Sequence, residues 1–156
     1  MAPSPAAEGA VAPAATQWVV FACGPQWFGL PLDRSREILP PRALTRLPGC
    51  GAHVGGLVGI RGRVHTVFDF GVILRNESAL QTRDHRLLVL VVHGRRVAAV
   101  VDEVVAVSRD VVPIAPLNGT KYPEHIEADD VVGVGTLDGH PFLALDPDRI
   151  LGRLFT

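Results

Sequence analysis

Residues 19–33 read VVFACGPQWFGLPLD, and residues 88–102 read LVLVVHGRRVAAVVD. In each, an apolar run meets a turn, at Gly24 or Gly94, and a second run returns to an aspartate, Asp33 or Asp102. The likeness continues further along. VGIRGRVHTVFDFGVIL (58–74) is echoed by VGTLDGHPFLALDPDRIL (134–151). The two echoes keep nearly the same offset along the chain, the second slightly longer than the first. Two segments that recur in the same order mark a duplicated unit, here a small β unit with extra residues in its second loop.

The apolar runs are rich in Val beside Ile, Leu and Phe, which suits strands buried on one or both faces. Strands are expected near 17–23, 27–32, 54–60, 63–69, 86–92, 95–101, 131–137 and 140–145. Gly24-Pro25, Arg61-Gly62, His93-Gly94 and Asp138-Gly139 supply the turns between them. Residues 33–39 (DRSREIL) fit one helical turn or a further strand, and 40–50 form a proline-bounded link. A short helix is expected after Asp69 and another after the Asp146 cap. SRDVVPIAP (108–116) reads as an extended crossing that leads into a polar loop, LNGTKYPEHIEADD. Many short strands with turn signals indicate barrels or a sandwich, and the duplication favours two small barrels. The two barrel subdomains are expected to be intertwined, at about 17–85 and 86–156.

The chain has 156 residues and is 47% hydrophobic, enough for one domain or two lobes with ample core. Its formal net charge of −1 offers no basic excess for phosphate, and nine aromatics in all make a nucleic-acid groove unattractive. Residues 1–16 form a Pro/Ala-rich stretch expected to be disordered, without the basic start of a leader. No apolar run approaches the ~20 residues a spanning helix needs, so no membrane insertion is expected. Cys23 and Cys50 lack CxxC spacing, which suits a reduced, cytoplasmic protein.

A catalytic cluster is not apparent. The six histidines form no HxH, HExxH or zinc-spaced set with cysteine. The glycines of VGGLVGIRG (54–62) have the wrong spacing for a dinucleotide site and fit close strand packing and a turn. Cys50 and His53 suggest a tight loop more than a nucleophile pair. His65 is expected at a surface or interface. Arg61, at a turn between apolar strands, is placed to pair with Glu37 and so to hold two lobes, or a docking loop, in register.

The ordered set FACGPQWFGLPL, Glu37-Ile38, Leu47-Pro48, Gly55-Gly56-Leu57-Val58, Arg61-Gly62 and Phe68-Asp69-Phe70 resembles the CheW-like coupling domains of bacterial chemosensory systems. The second half joins through VAAVVDEVVAV (97–107) and GVGTLDGHPFLALDPDRIL. The resemblance covers about residues 17–153. It implies an all-β fold of two five-stranded, SH3-like barrels with a hydrophobic groove between them. It also implies a non-catalytic adaptor without cofactor or metal. The partners it implies are the cytoplasmic tips of chemoreceptors and the regulatory domain of a histidine autokinase, with which such domains form rings. Matched residue by residue, it assigns partner binding to Ser35, Glu37, Ile38, Gly56, Arg61 and Gly62. The chain departs from the pattern at Thr66, Gly59 and Ser35, the last standing where an apolar residue is common. A ring-forming face is expected near Leu117–Tyr122. Pilus motility is an alternative output within the family. A small-barrel enzyme or ligand-binding protein built on His65, Asp69 and the glycine strand is the alternative outside it.

Overall fold

The computed structural model describes residues 17–113 and 126–154. The tail at 1–16 and the loop around Leu117–Tyr122 lie outside the described residues. Eleven strands form two sheets: β1 (Trp18–Cys23), β2 (Gln26–Pro31), β3 (Ser35–Leu39), β4 (Val54–Ile60), β5 (Arg63–Asp69), β6 (Arg86–Val92), β7 (Arg95–Val101), β8 (Glu103–Ser108), β9 (Val111–Pro113), β10 (Val131–Leu137) and β11 (His140–Leu145). Two short helices follow β5 and β11: α1 (Phe70–Arg75) and α2 (Pro147–Gly152). All eight expected strands are present within a residue or so. The three additions are β3, β8 and β9, and DRSREIL divides into a 3-10 turn (Leu32–Arg34) and the strand β3.

The sheets run β8-β1-β2-β11-β10-β9 and β3-β6-β7-β5-β4. Each sheet combines strands from both repeats. The first sheet takes the β1–β2 hairpin from the first repeat and everything else from the second, and the other sheet does the converse. The strand that follows each hairpin has crossed to the opposite lobe. Register shows that this is a true duplication. Ser35↔Leu90, Glu37↔Val89, Ile38↔Leu88 and Leu39↔Leu87 become, with the two repeats exchanged, Val104↔Phe21, Ala106↔Val20, Val107↔Val19 and Ser108↔Trp18. The same bulge interrupts both ladders. A second shared bulge falls at Val54/Gly56 and, at the matching place in the second repeat, at Val131/Gly133. The six-stranded sheet gains its extra strand because β9 is continuous there. The other lobe has only a single bridge, Thr45↔Leu57.

Alternation explains the long apolar runs. On β6, Leu87 and Val89 face their own lobe's core, whereas Leu88, Leu90 and Val92 join a central cluster with Phe21, Phe28, Phe68 and Phe70. Strands buried on both faces need side chains of one kind throughout, so no polar alternation survives in the sequence. The other lobe's core is built on Trp18, Val20, Phe142 and Ala144. His65 belongs to this internal pattern: it is 6% exposed, which corrects the surface expectation. Along β5 it shares a face with buried Val67, not with the solvent.

Both helices are capped by an aspartate that ends a strand. Asp69 accepts from the N–H groups of Gly71, Val72 and Ala79 and from Ser78 Oγ. Asp146 accepts from Asp148 N, with Pro147 opening the helix. The lobes are tied where α2 meets the other lobe's hairpin turn. Asp148 receives a bidentate pair from Arg34 (2.8 Å each) and the His93 N–H at 3.0 Å. The Arg34 hydrogen bonds hold the Asp148 carboxyl down at about 2, against an ordinary 3.8. The stabilisation is therefore complete above about pH 4 and is lost as pH falls toward about 2. Asp148→Asn should lower stability at neutral pH by about 1 kcal/mol, the half-exposed guanidinium being screened by water. It should also flatten the acid limb between pH 4 and 2 in denaturant titrations. An unchanged acid limb would remove the clamp from the account.

Candidate functional site

The five-stranded lobe has β3 and β4 at its two edges. Glu37, on β3, reaches the β4–β5 turn. Arg61 Nε donates to Glu37 Oε2 at 3.1 Å and Arg61 Nη2 to Oε1 at 2.7 Å. The pair thus joins the two edges of one lobe across its seam. It does not hold two lobes in register, as the spacing alone suggested. Arg42 donates to Gly59 O at 3.0 Å along the same seam. The other lobe closes its seam differently, by Ser108 Oγ donating to Thr136 O. At the positions corresponding to Glu37 and Arg61 it has Ala106 and Asp138. The carboxylate–guanidinium latch is therefore a feature of one lobe only.

The guanidinium that completes the latch holds the Glu37 carboxyl below its ordinary value, aided by the charges of Arg42 and Arg96. Arg61 is 75% exposed and Glu37 26%. Such a pair adds little to folding, yet it presents a fixed charge pattern at a rim. Ile38, next to Glu37, is 49% exposed. It points to the opposite face of β3 from Glu37, so this edge presents the ion pair on one face and an exposed apolar side chain on the other.

The turn that carries Arg61 is set by backbone geometry. Arg61 (φ 51°) and Gly62 (φ 77°) are both left-handed, as a two-residue hairpin loop requires. Gly62 is exposed with open space around it. Gly56 is different, because it is buried. Its φ is 137°, and a Cβ there would lie 2.5 Å from Thr45 O. It allows the link strand to close on β4. Ser35 opens β3, and its Oγ is buried without a hydrogen-bond partner among the described residues. Its counterpart in the second repeat is Val104. Ser35→Val should stabilise the protein by about 1 kcal/mol, roughly 3 °C in Tm, by removing an unpaired hydroxyl from an apolar site. A fall in Tm in calorimetry would mean that the hydroxyl is hydrated or bonded.

Two clefts adjoin each other beside α1. One, about 520 Å³, is lined by Leu47, Pro48, Val54, Val72 and Leu80. The other, about 420 Å³, lies between the helices and is lined by Ile73, Ile150, Arg153 and Leu154. They share Ala52 and Val72, and apolar side chains predominate in both. Apart from Leu47-Pro48 of the link, sequence reasoning did not single out these residues, because the elements that bring them together are far apart in the chain. Asp69, at the edge of the larger cleft, is engaged by four hydrogen bonds from its helix cap. Among the described residues no group of three His, Cys, Asp or Glu is placed to hold a metal. No described helix is long and apolar enough to cross a membrane.

Interleaved barrels with apolar clefts and a rim-exposed ion pair define a docking module of the two-barrel class. Residues 17–155 match the family model described as CheW-like domain, and the chain belongs to that family, one of non-catalytic chemotaxis scaffolds. The crystal structure of the scaffolding protein TtCheW from Thermoanaerobacter tengcongensis shares the fold, with a TM-score of 0.72 and 18% identity over 87% of each chain. No curated relative matches the sequence.

Proposed function

We propose that the chain is a non-catalytic adaptor that couples the cytoplasmic tips of chemoreceptors to the regulatory domain of a histidine autokinase. The observation that carries this reading is the Glu37–Arg61 latch, present in one lobe only and flanked by exposed Ile38, within a fold of the CheW-like family. An ion pair that spans a seam adds little to folding, so its use is at a surface. The receptor tip, a helical hairpin, is taken by apolar anchors in a groove with a polar rim. The kinase domain is taken barrel against barrel. Ser35, Glu37, Ile38, Arg61 and Gly62 form the candidate contact strip, with Gly56 shaping the strand behind it. The chain acts in the cytoplasm, where the receptor tips lie.

Contacts of this kind are modest in area and transient, with dissociation constants of about micromolar order. Anisotropy titrations of the labelled full chain against the kinase regulatory domain and against a receptor hairpin test the reading. Saturable binding to both is expected. Binding to neither by folded protein would overturn it.

A further inference from the structure

The duplication makes the hairpin ends of the two lobes equivalent, yet their chemistry differs. The five-stranded lobe has Arg63, Val64, His65 and Arg96 there. The other lobe has His140, Pro141, Phe142 and Trp27 at the matching positions. The rings of Trp27 and His140 stack with centroids 3.8 Å apart and 28° between their planes. Beneath them Phe142 is buried, its ring filling the space that Gly29 and Gly135 leave. A Cβ at Gly29 would come 2.6 Å from that ring. With Pro25, Val134 and Pro141 these rings line a shallow hollow of about 370 Å³.

Such a surface suits proline. Aromatic-lined grooves take proline-bearing segments, whose φ is already fixed near about −65°, so that little ordering entropy is lost on docking. The chain carries a segment of this kind. Residues 1–16 include Ala2-Pro3-Ser4-Pro5 and Pro13, with Glu8 as the one charged side chain. Reach decides which prolines arrive. β1 pairs with β2 from Trp18↔Pro31 to Cys23↔Gln26, so the hollow lies at the far end of β1 from Gln17, about 17–20 Å along the strand. Pro13 stands four residues before Gln17 and spans only about 12 Å, whereas Pro5 stands twelve before it and spans about 37 Å, at ~3.1 Å per residue.

We propose that the chain's own N-terminal segment docks on this hollow, with Pro3 and Pro5 against Trp27 and His140. Attachment to the same chain gives the segment an effective concentration of about millimolar order, so that even a weak contact is populated. This goes beyond the adaptor reading. The segment is a built-in cover for one end of one lobe, and any protein that docks there must displace it.

Acrylamide quenching of tryptophan fluorescence in the full chain tests it. The chain has two tryptophans, and Trp18 is 2% exposed, so the quenchable signal belongs to Trp27. Pro3→Ala with Pro5→Ala should raise the quenching constant roughly twofold, because the cover is in place for a large share of the time at this effective concentration. Pro13→Ala should leave the constant unchanged, since Pro13 falls short of the hollow. Dilution of the unsubstituted chain by about a hundredfold should also leave it unchanged, because segment and hollow belong to one molecule. Equal quenching of the double variant and the unsubstituted chain would overturn the proposal. So would a matching rise with Pro13→Ala. Shielding that is lost on dilution would assign the cover to a second copy and overturn it equally. Near-UV circular dichroism verifies that each variant is folded, so that a change in quenching is read at the hollow.

Discussion

Arg61→Glu is expected to weaken binding of the kinase regulatory domain and the receptor tip by about tenfold or more while leaving the fold intact. The side chain is 75% exposed, and its hydrogen bonds are those to Glu37 across the seam. Reversal leaves two carboxylates facing each other where a fixed carboxylate–guanidinium pattern stood. The edges of β3 and β4 then lose their latch, and the rim loses its cation. Thermal unfolding should barely move, because exposed pairs contribute little to stability. Glu37→Arg combined with Arg61→Glu should recover part of the affinity if the pairing itself orders the strip. A double variant no better than the single one would assign the effect to the charge of Arg61 alone. A large drop in Tm would make Arg61 structural.

Gly56→Ala is expected to do the opposite, lowering stability by about 3 kcal/mol, or roughly 10 °C in Tm, with binding intact in whatever remains folded. Two independent obstacles meet at this residue. Its φ of 137° is one that L side chains rarely adopt, and the new methyl would lie 2.5 Å from Thr45 O, which is backbone and has little room to yield. The second repeat shares the second of these at Gly133, where a Cβ would lie 2.7 Å from Val112 O. Calorimetry with a titration below the transition separates fold from contact. A normal Tm with weakened binding would place Gly56 in the interface, against its burial.

Much of the fold was legible because each hairpin is locally encoded. Gly24, His93-Gly94, Arg61-Gly62 and Asp138-Gly139 sit between apolar runs of strand length, and those turns formed as written. That the subdomains intertwine was expected, but which strands are exchanged was not legible. Which sheet takes SREIL is decided by long-range pairing with β6, and nothing in that short stretch states it. The same exchange put the exact lobe boundary out of reach. His65 was misplaced because the polar imidazole takes the inward face of β5 with Val67 while its apolar neighbour Val64 is exposed, so hydropathy pointed the wrong way.

The site was legible in part. The possibility of a Glu37–Arg61 pair followed from turn placement and from the resemblance, and the bidentate geometry bears out the pair itself. Its place at the seam of a single lobe needed the sheet order. Gly56 had two readings, close strand packing from its neighbours and a binding surface from the resemblance. Its burial against Thr45 agrees with the first.

The most direct test of coupling is the autophosphorylation rate of the cognate histidine kinase, reconstituted with receptor-bearing membranes, with and without this chain. The expected result is a rise in rate that requires receptor and chain together and fails with Arg61→Glu. A rate indifferent to the folded chain in the presence of both partners would contradict the adaptor account.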